Sequence, residues 1–219
     1  MIHLVYPVGP LQCNCSIIGD ETTREAIVVD PGDDIDDLLG LLLRNGLKVK
    51  QIFITHAHID HIGGAMKLKK ATGAPIMMHR ADEMQLPLLD MQAQWIGMQL
   101  PGQVTVDEFA KDLDRLKAGD LAATILHTPG HTEGSSCLYF PDQQKLIAGD
   151  TLFSGSIGRT DLPGGDFKKI MRSLHTTVLE LPDQTRVTPG HGPETTIGAE
   201  RQSNPFLTDN RYKPKVQES

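Results

Sequence analysis

The 219-residue chain is long enough for one sizeable domain or two small ones, and it is 39% hydrophobic and 22% charged with a formal net charge of −7. That balance argues against nucleic-acid binding, which needs concentrated Lys and Arg. Lys67-Leu68-Lys69-Lys70 and the trio Arg211, Lys213 and Lys215 read more simply as a solvated helix face and a solvated end. No apolar run approaches the roughly 20 residues that span a bilayer, and the opening stretch MIHLVYPVGPLQ lacks the charged start and apolar core of a signal peptide.

Three cysteines, Cys13, Cys15 and Cys137, form no even disulfide framework, so a reducing cytoplasm is the expected compartment. A single domain over residues 1–207 followed by a polar tail over 208–219 is the expected organisation. Nothing in the sequence marks an oligomeric state.

In chain order, Ala26-Ile27-Val28-Val29 reads as a strand. Residues 33–45 follow with apolar Ile35, Leu38, Leu39 and Leu42 at helical spacing, Asp33 or Asp34 to cap the start and Gly46 where the helix stops. Further strands are expected at Gln51-Ile52-Phe53-Ile54, Ala123-Thr124-Ile125-Leu126, Leu146-Ile147-Ala148 and Arg186-Val187-Thr188. A second amphipathic stripe runs through Phe167, Ile170, Met171, Leu174, Val178 and Leu181. Strands alternate with helices in places and follow one another directly in others, which predicts sheets covered by helices.

The strand ends share a pattern. The run 51–54 leads into THAHIDHIGG, residues 55–64, with His56, His58, Asp60 and His61. The run 123–126 leads into TPGH, ending at His131, 146–148 leads into Asp150, and 186–188 leads into a second TPGH, ending at His191. Loops at strand ends are where a rigid scaffold presents functional groups, and Pro-Gly before each of the two histidines turns the chain sharply. Imidazole and carboxylate together suit zinc, iron or manganese. His56 and His58, two apart, point the same way from an extended segment, while Asp60 and His61 turn elsewhere as a helix begins near Ile62. Seven side chains exceed the four that one tetrahedral ion takes; they suit two ions sharing a bridging carboxylate and a bridging water.

His3, His79, His127 and His175 read as ordinary core or surface histidines, with His127 also placed to support His131. Cys15 and Cys137 read as small core residues and Trp95 as a packing or lid residue. Residues 84–102, rich in Met and Leu, read as helix packing, with a covering role over the site as the other option.

His56-Ala57-His58-Ile59-Asp60-His61, His131, Asp150 and His191, in that order, resemble the motifs of the metallo-β-lactamase superfamily, over a stretch from about Ile2 to Leu207. The resemblance implies an α/β fold, a four-layer αββα sandwich with metals at one edge between two sheets. Carried over position by position, it implies that His56, His58 and His131 hold one ion, that Asp60, His61 and His191 hold a second, and that Asp150 bridges. His58 and Asp150 disfavour two branches, the diiron flavoproteins with Glu at the first position and the antibiotic-degrading enzymes with a Cys second-site ligand. GDTLFSGSIGRTDLPGGD, residues 149–166, looks like the glyoxalase II and persulfide dioxygenase branches, and PGHGPETTIGAERQSNPFL, residues 189–207, looks like short bacterial glyoxalase II-like hydrolases. Longer glyoxalase II enzymes carry a Lys at the position of Arg159 and a C-terminal helical domain that contacts glutathione, for which nothing after Leu207 is a counterpart.

The activity implied is hydrolysis of a small-molecule thioester of the S-acyl glutathione type, such as S-lactoylglutathione. Two divalent ions, zinc first with iron or manganese as alternatives, would turn a bridging water into the hydroxide nucleophile, with Asp60 and Asp150 orienting it and able to accept the water's proton. Arg159 would grip a substrate carboxylate with its planar fork, the opposing reading being an ion pair with Asp161 or another loop carboxylate. The alternatives are a mononuclear iron persulfide dioxygenase, a phosphodiesterase or nuclease, and a non-catalytic metal-binding module; neither nucleic acid nor membrane is expected as a partner.

Overall fold

A computed structural model describes residues 1–209; the basic trio Arg211, Lys213 and Lys215, with the rest of the tail beyond 209, lies outside the described residues. The first sheet contains β1 (Ile2–Val8), β2 (Cys13–Gly19), β3 (Glu25–Val29), β4 (Lys48–Ile54), β5 (Ile76–His79) and β6 (Glu108–Ala110) in that spatial order. Its first three strands are antiparallel neighbours, and β3 to β6 pair in parallel. The crossovers carry α1 (Ile35–Arg44), α2 (Ile59–Ile62), α3 (Ala65–Thr72) and α4 (Leu89–Ile96), with a 3₁₀ segment at Arg80–Leu88.

The second sheet is built from β7 (Arg115–Ala118), β8 (Leu121–His127), β9 (Ser136–Phe140), β10 (Lys145–Gly149), β13 (Arg186–Pro189) and β14 (Thr195–Thr196), ordered β14-β13-β10-β9-β8-β7. A small hairpin, β11 (Leu152–Phe153) with β12 (Ser156–Ile157), precedes α5 (Phe167–Thr176). Two short helices, α6 (Ile197–Ser203) and α7 (Pro205–Thr208), follow β14.

Three apolar clusters give the layer order. Ile17, Val28, Ile52 and Ile54 pack with Leu38, Leu42 and Leu68 of α1 and α3. The strand neighbours Ile18, Ile27, Val29 and Phe53 point to the opposite face and meet Ile125, Leu138, Phe140 and Ile147 of the second sheet. Leu126, Leu146, Ala148 and Val187 face Ile170, Met171 and Leu174 of α5. Alternate residues of each central strand are therefore buried on opposite faces, which is why these strands read as continuous apolar runs. The result is the predicted αββα sandwich.

Two local expectations are corrected. Asp34 precedes α1 in the left-handed region (φ +52°) and makes no side-chain cap; its carboxylate accepts instead from Gly9 N–H at 2.8 Å. The second stripe does not continue as one helix to Leu181, because α5 ends at Thr176 and Thr177 leaves the helical region before a 3₁₀ turn at Val178–Glu180. The Lys67 and Lys69 ammonium groups pair with Asp36 and Asp107 on a solvated helix face. Among the described residues, no helix is long and apolar enough to cross a membrane.

Candidate metal centre

Strands β8, β10 and β13 run in one direction, since β9 is antiparallel to both β8 and β10 while β13 is parallel to β10. Their ends therefore deliver His131, Asp150 and His191 to one edge. β4 reaches the same edge from the other sheet, tied there by Ser136 N–H donating to the Thr55 carbonyl at 2.9 Å. The structure thus brings all seven sequence-predicted residues together.

His131 Nε2 lies 3.2 Å from His56 Nε2 and 3.0 Å from His58 Nδ1. Beside this trio, Asp60 Oδ2 lies 3.1 Å from His191 Nε2 and 3.5 Å from His61 Nε2. Asp150 stands between the groups, with Oδ1 3.5 Å from His61 Nε2 and Oδ2 3.6 and 3.8 Å from the Nε2 atoms of His131 and His191.

The outward nitrogens are committed elsewhere. His131 donates Nδ1–H to the Arg159 carbonyl (2.8 Å), His191 to the Leu11 carbonyl (3.0 Å) and His61 to Asp30 Oδ2 (2.8 Å). His56 donates to Thr55 Oγ1 (3.1 Å), whose own hydroxyl donates to Asp30 Oδ2 (2.6 Å). These contacts make each Nδ1 the committed donor and leave each Nε2 facing the shared space.

The three ring nitrogens crowd one point, two of them 3.2 and 3.0 Å from His131 Nε2. The spacing is close to the edge of about 3.3 Å that a tetrahedral ion with Zn–N bonds of about 2.0–2.1 Å imposes. Moreover, His61 Nε2 and Asp150 Oδ1 are buried without a hydrogen-bond partner although they face each other. Polar atoms left so cost about 1–3 kcal/mol each unless something satisfies them, and an imidazole–carboxylate donor set is what zinc, iron or manganese takes. The residues fit metal.

The two groups differ electrostatically. Burial, reinforced by the neighbouring imidazoles, lowers His56 well below its usual value and pushes His58 down to about 3. For His61, burial pulls downward but is outweighed by Cys13, Asp60, Asp150 and Asp30, which hold it well above the ordinary value. His191 is raised against burial in the same way by Asp60 and Asp150. Asp60, despite burial that favours its acid form, is held below the usual carboxylate range by His61 and His191.

Several supporting residues escaped the sequence reading. Asp30 follows β3 in the left-handed region (φ +53°), a conformation that costs a non-glycine residue about 1–2 kcal/mol. In return its carboxylate accepts from Thr55 N–H (2.7 Å), Thr55 Oγ1 and His61. The strand-end rule that found the other acids applies to Asp30 too. Cys13 Sγ sits 3.5 Å from His61 Nδ1, its thiol pushed up to about 12 by burial. Asp82, buried in the 3₁₀ segment, accepts from Ala57 N–H (2.9 Å), Thr132 Oγ1 (2.8 Å) and Gly134 N–H (2.6 Å), joining the two loops that carry His56, His58 and His131. Its sequence neighbourhood gives no such signal.

The repeated tetrapeptide uses its glycine for two reasons. Gly130 adopts φ +137° with a would-be Cβ 2.1 Å from Ile170 N, whereas at Gly190 a Cβ would fall 2.1 Å from Asp150 Oδ1.

Arg159 sits at the rim. Its Nε and Nη2 donate to Asp161 Oδ1 and Oδ2, both at 2.7 Å, in a pair 61% and 68% exposed rather than buried. His127 donates Nε2–H to the Glu133 carbonyl and stacks on His79 at 3.9 Å, so it braces the 131–134 turn and not the His131 ring. Trp95 is 71% exposed and is not a core packing residue. Its helix packs through Leu89 and Ala93, and Gln92 Oε1 accepts from Ile59 N–H between the two ligand pairs of THAHIDH.

Residues 8–191 match the sequence profile of the family described as the Metallo-beta-lactamase superfamily. The chain belongs to that superfamily. Within it, the chain is similar to the hydroxyacylglutathione hydrolase GloC of Haemophilus influenzae, 38% identical over 207 residues that cover 93% of this chain and 96% of the relative. Among solved structures it resembles the BLEG-1 B3 metallo-beta-lactamase (37% identity, TM-score 0.88, covering 95% of this chain and all of that one). It also resembles TTHA1623 in a di-iron-bound form (38% identity, TM-score 0.85, covering 94% and 100%). Superfamily membership makes the chain a metal-dependent hydrolase by class.

Proposed function

We propose that the protein hydrolyses thioesters of the S-acyl glutathione type at a two-ion centre, with zinc or iron as the resident metal. The observation that carries this is the convergence of seven ligand side chains, among them the partnerless pair His61 Nε2 and Asp150 Oδ1. The hydroxyacylglutathione hydrolase activity for which the Haemophilus relative is named supports the substrate class, and the two irons in TTHA1623 support the ion count.

His56, His58 and His131 would hold one ion, Asp60, His61 and His191 the other, with Asp150 shared. When bound, the ions supply a water acidic enough to be deprotonated near pH 7 and Lewis acidity for a developing oxyanion. The chain's own groups do the rest. Asp60, whose carboxyl His61 and His191 hold below its usual range before any ion binds, presents an acceptor oxygen for the proton of the attacking water. Asp30, Thr55, Leu11 and Arg159 hold the imidazoles so that no lone pair must reorient during reaction. The departing thiolate is a weak base and needs no dedicated acid. Arg159 takes a substrate carboxylate by exchanging its Asp161 partner; solvent exposure of the pair keeps that exchange cheap.

The test is turnover of S-lactoylglutathione and simple acyl thioesters by the metal-loaded protein, with a β-lactam and glutathione persulfide under oxygen as comparisons. Metal-dependent thioester cleavage is expected. Oxygen uptake with the persulfide and no thioester cleavage would replace the reading with a dioxygenase.

A further inference from the structure

His191 differs from the other ligand histidines in the way it is held. It lies in the 190–194 segment beyond β13, and its side chain is 28% exposed where those of His61 and His131 are at most 2% exposed. The grip on this segment comes from the opposite sheet. Asn14, in β2, donates its backbone N–H to the Gly190 carbonyl (2.7 Å) and its Nδ2 hydrogens to the carbonyls of Pro189 (3.0 Å) and Gly192 (2.8 Å). Three carbonyls flanking His191 on both sides thus converge on one residue, while Leu11 of the same hairpin takes the His191 Nδ1–H.

At the far end, Glu194 Oε1 accepts from Thr188 Oγ1 (2.5 Å) and from Lys145 Nζ (3.0 Å). Lys145 is itself buried and also donates to His3 Nδ1 at 2.5 Å. The segment is therefore tied at its middle to the first sheet and at its end to a buried cation.

We infer that Asn14 is a positioning residue for the second ion, setting His191 through this three-carbonyl grip, with the Thr188–Glu194–Lys145 contacts as the opposing support. A side-chain amide is suited to the task because it offers two N–H groups to two carbonyls without adding charge beside the ligands. Partners that orient a ligand in this indirect way change metal affinity by about 10- to 100-fold when removed. The inference rests on the two-ion reading, and the test separates the two.

Metal-free protein would be titrated with Co²⁺, each equivalent read from its visible absorption, beside the melting temperature of the metal-free form. The step abolished by His191→Ala identifies the second site. Asn14→Ala should weaken that step about tenfold or more and leave the other unchanged. Thr188→Val should weaken the same step less, and Thr188→Ser, which keeps the hydroxyl, should restore it. The Thr188 pair carries the test if Asn14→Ala does not fold. Lower melting temperatures with an unchanged second step would make these residues merely structural and overturn the inference alone. Uptake of a single equivalent by the unsubstituted protein would overturn the two-ion reading together with it.

Discussion

His56, His58 and His131 leave strand ends in opposite sheets and meet as a buried set of imidazoles, with Asp82 tying their two loops together. Asp60, His61 and His191 instead combine a short helix with a partly exposed segment and mix carboxylate with imidazole. Two adjacent half-sites on one edge are thus built on different principles. In the first, burial and crowding lower His56 and His58 and so keep both neutral before any ion arrives. In the second, carboxylates draw protons onto the histidines that an ion would have to displace. Asp150 touches both, so it should be the point at which the distinction fails.

Asp150→Ala therefore gives the largest expected effect. Both ions should be lost and thioester turnover should fall by about 10³-fold or more, the equivalent of several kcal/mol of lost charge stabilisation. Metal analysis and kcat measured on one preparation check it; a variant with two ions and full turnover would contradict the bridge.

Next, Asp82→Ala should strike the first half through the fold. Two buried backbone donors and a threonine hydroxyl lose their acceptor, for a cost of about 3 kcal/mol read as a lower urea midpoint. Asp30→Asn should spare stability more and strike the second half. The amide offers His61 a donor in place of the Oδ2 acceptor, which favours the wrong tautomer and weakens the second ion about 10- to 100-fold, with a smaller effect on the first passed through Thr55 to His56. Equal weakening of both ions would erase the proposed division.

The smallest effect is a proton count. At pH 6–7 the second equivalent of metal should release more protons than the first, and its affinity should rise with pH, because raised histidine pKa values mean protons remain to be displaced as pH falls. Calorimetry in buffers of different ionisation enthalpy measures this directly. Equal release at both steps would contradict the electrostatic contrast.

Much of this was legible in the sequence because the central strands are buried on both faces and each ends in a conspicuous polar residue. The same rule, applied to Ala26-Ile27-Val28-Val29, points at Asp30, but a lone Asp before Pro-Gly looks like turn punctuation until His61 is seen behind it. Asn14 and Asp82 carry no local signal at all, since their partners lie more than 170 and 25–52 residues away and only the sheet order brings them near. For Arg159 the sequence offered two readings, and the structure shows the Asp161 pair in place while leaving it exposed enough to exchange.

The most direct test of the two-ion account is metal content per chain on protein purified without added metal, measured beside S-lactoylglutathione hydrolysis on the same sample. The account predicts close to two ions per chain with turnover that disappears on chelation and returns on reloading. Close to one iron per chain with no hydrolysis would contradict it.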